Sequence, residues 1–241
     1  MKTKLSNLIV ALLVMAMCAA CCNTPSGENY SFKDGMIVFD EPQRVAGQES
    51  MLGFAAEPIP VVRVGFVGLG MRGPGAVSRF THLDGVEIKG LCDLEQKNVS
   101  KCQPMLERAG MPKAAEYVGE EAYKELCERE DIDLIYIATD WLNHTPIALY
   151  AMEHGKHVAI EVPAATSLEE CWQLVDTSER TRRHCMMLEN CVYDFFELTC
   201  LNMAQQGLFG EILHAEGAYI HNLSSSPNYY VSRPSLALQQ A

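Results

Sequence analysis

The chain has 241 residues, 19 basic and 31 acidic side chains, and a formal charge of −12. With 48% apolar and 21% charged residues it has the composition of a globular protein, not of a disordered polymer. The acidic balance, with no run of Lys or Arg, excludes a basic footprint for nucleic-acid phosphates, and at roughly 150 residues per domain the length fits one large domain or one and a half.

Residues 1–22 differ in kind from the rest. Lys2 and Lys4 form a positive start, Leu8 to Met17 an apolar run, and Cys18-Ala19-Ala20-Cys21-Cys22 a small-residue end, the pattern of a secretion leader. The run is shorter than the roughly 20 residues of a membrane span. Cleavage after Ala20 would leave Cys21 first, as in a bacterial lipoprotein, although Cys18 stands where Leu is usual. The expectation is therefore an exported, cell-envelope protein, either lipid-anchored or soluble in the periplasm. Residues 23–60, with scattered Pro, Gly, Ser and Asn and no sustained period, read as a tether and loosely ordered lead-in.

From Val61 the pattern becomes regular. Val61 to Val67 reads as a strand, followed by a glycine-rich turn and a helix over Pro74 to Thr81. Val86 to Cys92 is a second strand, Leu94 to Ala109 a helix stopped at Gly110, and Glu120 to Glu128 another helix. Asp133 to Ala138 is apolar on both faces, as a central strand covered by helices must be. A helix over Asn143 to His154 closes at Gly155, and His157 to Glu161 is the next strand. Ser167 with Glu170 forms a capping box for a helix running to about Arg180. Cys185 to Leu188, a helix over Tyr193 to Gln206 stopped by Gly207, and a strand over Glu211 to Ile220 complete the pattern.

Strands alternating with helices predict right-handed βαβ units and an α/β fold with a doubly wound parallel sheet over residues 61–188. Residues 189–241 then begin a second, α+β unit, which stops short: after Asn222 there is neither clear period nor caps. Of the ten cysteines three belong to the leader, and the other seven show no C-x-x-C or other metal spacing, so no metal site is expected. Cys92 and Cys185 in strands, and Cys171 and Cys200 in helices, read as buried free thiols.

The sharpest motif is Gly68-Leu69-Gly70-Met71-Arg72-Gly73, directly after a strand and opening a helix. The first Gly permits the tight turn, the second lets backbone approach a pyrophosphate, and the third allows close helix–strand packing, with the anion at the helix N-terminus. Asp93 ends the second strand, 20 residues after Gly73. A carboxylate there accepts hydrogen bonds from ribose hydroxyls and repels a 2′-phosphate, which favours NAD over NADP. A second group, Thr139 to His144 and Lys156 to Pro163, falls at the carboxyl ends of two further strands, where open α/β sheets bind ligands. Trp141 and His144 are expected to line the cofactor, with packing at the helix entry as the alternative.

The spaced set A-T-x-x-x-x-H over Ala138 to His144, Ala148 to Gly155, and G-K-H-V-x-x-E-x-P over Gly155 to Pro163, with the upstream glycine motif, resembles the Gfo/Idh/MocA oxidoreductases. The resemblance implies a Rossmann domain with bound NAD, and a large sheet beyond it. Most dehydrogenases of that family carry Glu-Lys-Pro, the Lys serving as proton shuttle; here the triplet is Glu161-Val162-Pro163. That triplet, with Trp141, Cys171-Trp172, Met186 to Asn190, Tyr193 and Gly217 to His221, is similar to glycoside hydrolase family 109. The similarity implies hydrolysis of an α-N-acetylgalactosaminide: oxidation at C3, elimination across C1–C2, addition of water, and return of the hydride. It also implies Glu161 and Tyr193 as acid–base candidates, with His221 as an outer one. The alternatives are a sugar or inositol oxidoreductase of the wider family and a cofactor-binding remnant without catalysis. A homo-oligomer is a further expected association.

Overall fold

A computed structural model of the chain describes residues 30–39, 47–189, 191–216 and 218. The expected leader and His221 lie outside the described residues. The chain divides into two compact units, Met1–Leu188 and Glu189–Ala241.

The first unit is built on a six-stranded parallel sheet. In chain order its elements are β3 (Val62–Val67), α1 (Gly73–Phe80), β4 (Val86–Asp93), α2 (Gln96–Ser100), α3 (Gln103–Arg108), β5 (Ala115–Val118), α4 (Ala122–Glu128), β6 (Leu134–Ile137), α5 (Trp141–Glu153), β7 (His157–Glu161), α6 (Leu168–Thr181) and β8 (Cys185–Leu188), preceded by a hairpin of β1 (Tyr30–Lys33) and β2 (Met36–Phe39). The sheet order is β5-β4-β3-β6-β7-β8, and every neighbouring pair is parallel. The chain winds one way from β3 and then the other way from β6, so helices cover both faces.

Alternation along the strands sorts the core into two layers. Val64, Phe66, Ile88 and Tyr136 pack with Ala76, Val77, Val99 and Leu106 under α1, α2 and α3. Ile135, Ile137, Val158 and Ile160 pack with Leu126, Ile147, Ala148, Met152 and Leu174 under α4, α5 and α6. Helix α4 comes close because Gly65 and Gly90 face one another across β3 and β4; a Cβ on Gly90 would lie 2.2 Å from Leu126 Cδ1.

Several elements differ from the expectation. The single helix over Leu94 to Ala109 is two helices, because Pro104 in the first turn of α3 has no N–H for the Ser100 carbonyl and its ring excludes that oxygen. Strand β5 was not expected: Ala-Glu-Tyr-Val lacks an apolar run, as suits a short edge strand. The capping box at Ser167 is shifted by one residue in its second half. Ser167 Oγ accepts from the Glu170 amide at 3.1 Å, but the Glu170 carboxylate reaches back to the Thr166 amide and hydroxyl at 2.6 and 2.8 Å.

The lead-in carries more order than its composition predicts. Residues 30–39 form an antiparallel hairpin, turned at Asp34 and Gly35, both of positive φ, the Asp-Gly signature of a tight hairpin turn. Residues 48–56 form a strap on the end of α6. Gln48 Nε2 donates to the Asp176 carbonyl and the Glu179 carboxylate, each at 3.0 Å. The Arg182 guanidinium lies 4.4 Å from the Phe54 ring centroid, and the Ala56 amide donates to His184 Nε2.

Cys92, Cys102 and Cys127 are buried free thiols, whereas Cys171 and Cys191 are exposed and Cys185 and Cys200 half-buried. Cys171 departs from the expectation: it lies near the start of α6, one turn before the first buried residue of the helix, Leu174, and is exposed. In the second unit, α7 (Phe195–Gln205) begins two residues later than expected and ends at Gly207, whose φ is 72°. Its residues are all at least partly exposed. The described part of the segment 211–220 forms no strand: among the described residues of this unit there is no partner strand to satisfy its backbone.

At the amino edge of the sheet, Asp133 takes Arg63 Nε at 2.8 Å, Nη2 at 2.6 Å and the Arg63 amide at 2.9 Å. Hydrogen bonding from Arg63 holds the Asp133 carboxyl below its ordinary range. A depressed folded-state value means stability that is present above the unfolded value and lost as pH falls through the folded one. Asp133→Asn is therefore expected to lower the urea midpoint at neutral pH and to make it fall less steeply between about pH 5 and 3. Parallel profiles for the two proteins would show that the pair does not set the acid limb.

Candidate dinucleotide site

All six strands of the sheet end on one edge, and the expected site residues of the first unit lie along it. Gly68 continues the ladder past β3, its amide donating to the Cys92 carbonyl at 2.9 Å, while the Ala138 amide donates to Val67 at 2.8 Å. The loops leaving β3 and β6 are thus side by side, at the point where the winding reverses. Gly68 has φ +91°, and a Cβ there would lie 2.5 Å from the Ala138 carbonyl. A Cβ on Gly73 would lie 2.0 Å from the Gly68 oxygen, so the turn closes backbone on backbone. Gly70 is different: nothing lies within 4 Å of where its Cβ would be.

These three positions fit the roles that a pyrophosphate demands. Gly68 and Gly73 are fixed by close approach within the protein, and Gly70 borders open space that a side chain would fill. Helix α1 has no side-chain cap and no acidic residue in its first turn, and Pro74 supplies no N–H there. By contrast α5 is capped by Asp140, which accepts from the Leu142 amide, and α6 by Ser167. The partial positive charge at the start of α1 is therefore left for an external anion. Met71 and Arg72 are exposed beside it.

Asp93 is the last residue of β4 and half-buried. Its Oδ2 accepts the Leu69 amide at 2.7 Å, and Oδ1 accepts the Glu95 amide at 2.9 Å and Asn98 Nδ2 at 2.8 Å. The carboxylate that was expected to meet ribose also fastens the glycine turn to β4. Three of its roughly four lone-pair positions are used, which leaves one for a ribose hydroxyl. Lys101 Nζ donates to the Gly70 carbonyl at 3.2 Å, placing an ammonium beside the same turn.

The second cluster sits at the ends of β6 and β7. Trp141 is the first residue of α5 and is exposed. His144 is 1% exposed, with Nδ1 2.7 Å from the Pro163 carbonyl and Nε2 3.2 Å from the Thr139 carbonyl. His144 thus ties the β7 loop to the β6 loop from beneath, a packing task at the helix entry. Glu161 ends β7, and its Oε1 accepts the Tyr136 hydroxyl at 2.7 Å. Its Oε2 has no hydrogen-bond partner among the described residues. Val162 is exposed at the position where a lysine was expected of a dehydrogenase.

Tyr193, in the second unit, is exposed and precedes Asp194, the residue before α7. Sequence reasoning singled out neither Tyr136, hidden in an apolar strand pattern, nor the turn-fastening role of Asp93. Asn98 and Lys101, spaced five and eight residues after Asp93 on a helix at the carboxyl edge, were the available signal.

Residues 62–189 match the family model GFO_IDH_MocA, described as an oxidoreductase family with an NAD-binding Rossmann fold. The chain is 56% identical over 233 residues to glycosyl hydrolase family 109 protein 4 of Phocaeicola vulgatus, a match covering 95% of this chain and 45% of that protein. It is 59% identical over 182 residues to an alpha-N-acetylgalactosaminidase of Bacteroides fragilis, covering 76% of this chain and 43% of the relative. The chain thus spans less than half the length of these relatives. Among solved structures, the myo-inositol dehydrogenase from Lactobacillus casei, determined with NAD(H) and myo-inositol, superposes with a TM-score of 0.55 at 23% identity, covering 62% of this chain and 43% of that one. That likeness carries the fold.

The two kinds of glycine separate experimentally. Gly70→Val is expected to keep the wild-type melting temperature and to lose NAD binding by at least about tenfold, since the added side chain fills the phosphate's space. Gly73→Ala is expected to lower the melting temperature as well, by overpacking worth about 1–3 kcal/mol. Calorimetric titration with NAD and thermal denaturation check both, and undiminished NAD affinity in Gly70→Val would contradict the assignment of the turn.

Proposed function

The chain belongs to the Gfo/Idh/MocA family of NAD-binding oxidoreductases, and on that premise we propose that it serves a glycosidase of the family 109 type, cleaving α-N-acetylgalactosaminides in a redox-neutral cycle. The observation that carries the reading is the triplet Glu161-Val162-Pro163 at the end of β7, in a chain 59% identical to an alpha-N-acetylgalactosaminidase. Val162 has no ionisable group, so simple alcohol oxidation through a lysine at that position is unavailable. Glu161 remains as the acid–base group of this edge.

Bound NAD supplies a hydride acceptor at the sugar and gives the hydride back, so that no net oxidation results. The chain's own residues hold and orient it. Gly68, Gly70 and Gly73 admit the pyrophosphate to the start of α1, and Asp93 accepts from ribose with its remaining lone pair. Trp141, exposed at the start of α5, is the residue there that would line the cofactor. Glu161, fixed through Oε1, has Oε2 free to take the proton next to a sugar ketone and to return it. Tyr193 is the second acid–base candidate, carried on the unit that follows the sheet, and His221 the outer one.

The test is to purify the protein without residues 1–22, denature it, and measure released NAD by absorbance and mass, with the native sample assayed on p-nitrophenyl α-N-acetylgalactosaminide. The expected result is bound NAD, and nitrophenol release without added cofactor and without NADH accumulation. Stoichiometric NADH formed from a free sugar or inositol would favour a dehydrogenase instead; bound NAD with no turnover of either kind would be the behaviour of an intact cofactor domain without its catalytic partner unit, and no bound NAD at all would contradict the reading of the glycine turn.

A further inference from the structure

Tyr136 sits in the middle of the apolar layer beneath α1. Its ring is 4% exposed and lies 5.2 Å from the Phe66 centroid and 5.6 Å from Phe80, edge-on to the latter. Phe66 and Phe80 are themselves edge-to-face at 5.2 Å. Three aromatic rings of this kind need no hydroxyl to pack, and a hydroxyl in such a place is unfavourable unless it is bonded. The partner it has is Glu161 Oε1, at 2.7 Å and 25 residues away in sequence. Burial and the neighbouring carboxylate both hold the phenol well above its ordinary value, with Arg79 of α1 acting in the opposite sense. The phenol therefore stays protonated and remains a donor.

We propose that Tyr136 is a positioning residue for Glu161: from the buried layer its hydroxyl fixes one carboxylate oxygen, so that Oε2 is the oxygen left to act at the sheet edge. The inference rests on the reading of Glu161 as the acid–base group of that edge. The strand end alone does not fix a carboxylate, since Glu has three rotatable side-chain bonds and β7 stops at Glu161 itself. A donor planted on β6, one strand over and held because its ring packs against both Phe66 and Phe80, removes that freedom from within the buried layer.

The experiment is a double-mutant cycle of Tyr136→Phe and Glu161→Gln, read by calorimetric affinity for NAD and for ADP-ribose, which lacks the nicotinamide. Phe keeps the ring and its packing, and melting temperatures are recorded for all four proteins. Each single variant is expected to weaken NAD by about 3- to 10-fold, the size of one hydrogen bond, and to leave ADP-ribose within about twofold. The double variant is expected to be no weaker than Glu161→Gln alone. If Tyr136→Phe leaves NAD affinity unchanged while Glu161→Gln weakens it, if the two losses add, or if Tyr136→Phe weakens both ligands equally, the hydroxyl does not act through Glu161 and the inference is overturned. If Glu161→Gln leaves the ratio of NAD to ADP-ribose affinity unchanged, it is the reading of Glu161 that fails, and the inference falls with it.

Discussion

The site depends on a place where backbone meets backbone with no room for a side chain. Gly68 presses against Ala138 and Gly73 against the Gly68 carbonyl, at separations that any Cβ would reduce to 2.5 and 2.0 Å. This contact joins the loop after β3 to the loop after β6, the two strands from which the chain winds in opposite directions. It brings the uncapped start of α1 to the carboxyl edge and leaves Gly70 bordering open space. Close packing of the core sets the distance, and the absence of side chains at two positions permits it.

Polar fastenings then give the edge its shape. Asp93 pulls the Leu69 amide onto β4 and orders the start of the next helix through Glu95 and Asn98. His144 ties the β6 and β7 loops from below. Tyr136 reaches Glu161 from the core. Each of these groups is anchored in a strand or a helix, and each acts on a loop or a strand end. The rigid part of the molecule thus dictates the geometry of the part that meets the ligand, as preorganised sites require.

Much of this was legible in the order of residues. The glycine spacing after an apolar strand, and Asp93 at the end of the next one, pointed to one end of the candidate site because turn geometry and anion binding leave few residue choices there. The sheet followed from runs such as Leu134 to Ile137, apolar on both faces. What escaped notice obeys other rules. Strand β5 is made by its neighbour β4 and not by its own composition, and the break at Pro104 competes with an otherwise helical period. The strap at residues 48–56 is held by contacts to Asp176, Glu179, Arg182 and His184, more than 120 residues on, that no local pattern announces. Tyr136 looked like any apolar strand residue because its hydroxyl matters only through a partner 25 residues on. The hairpin at Asp34-Gly35 did carry a local signal, submerged in a segment of loop-like composition.

The claim at the centre of this account is that the turn from Gly68 to Gly73, with Asp93, forms the cradle of the dinucleotide. It is tested most directly by following backbone amide resonances while NAD is added. The account predicts that the amides of Gly68 to Gly73 and of Asp93 shift first and most, those of Thr139 to Trp141 and Glu161 next, and those of the strap at residues 48–56 hardly at all. Saturable shifts centred elsewhere on the protein, with the glycine turn unmoved, would contradict it.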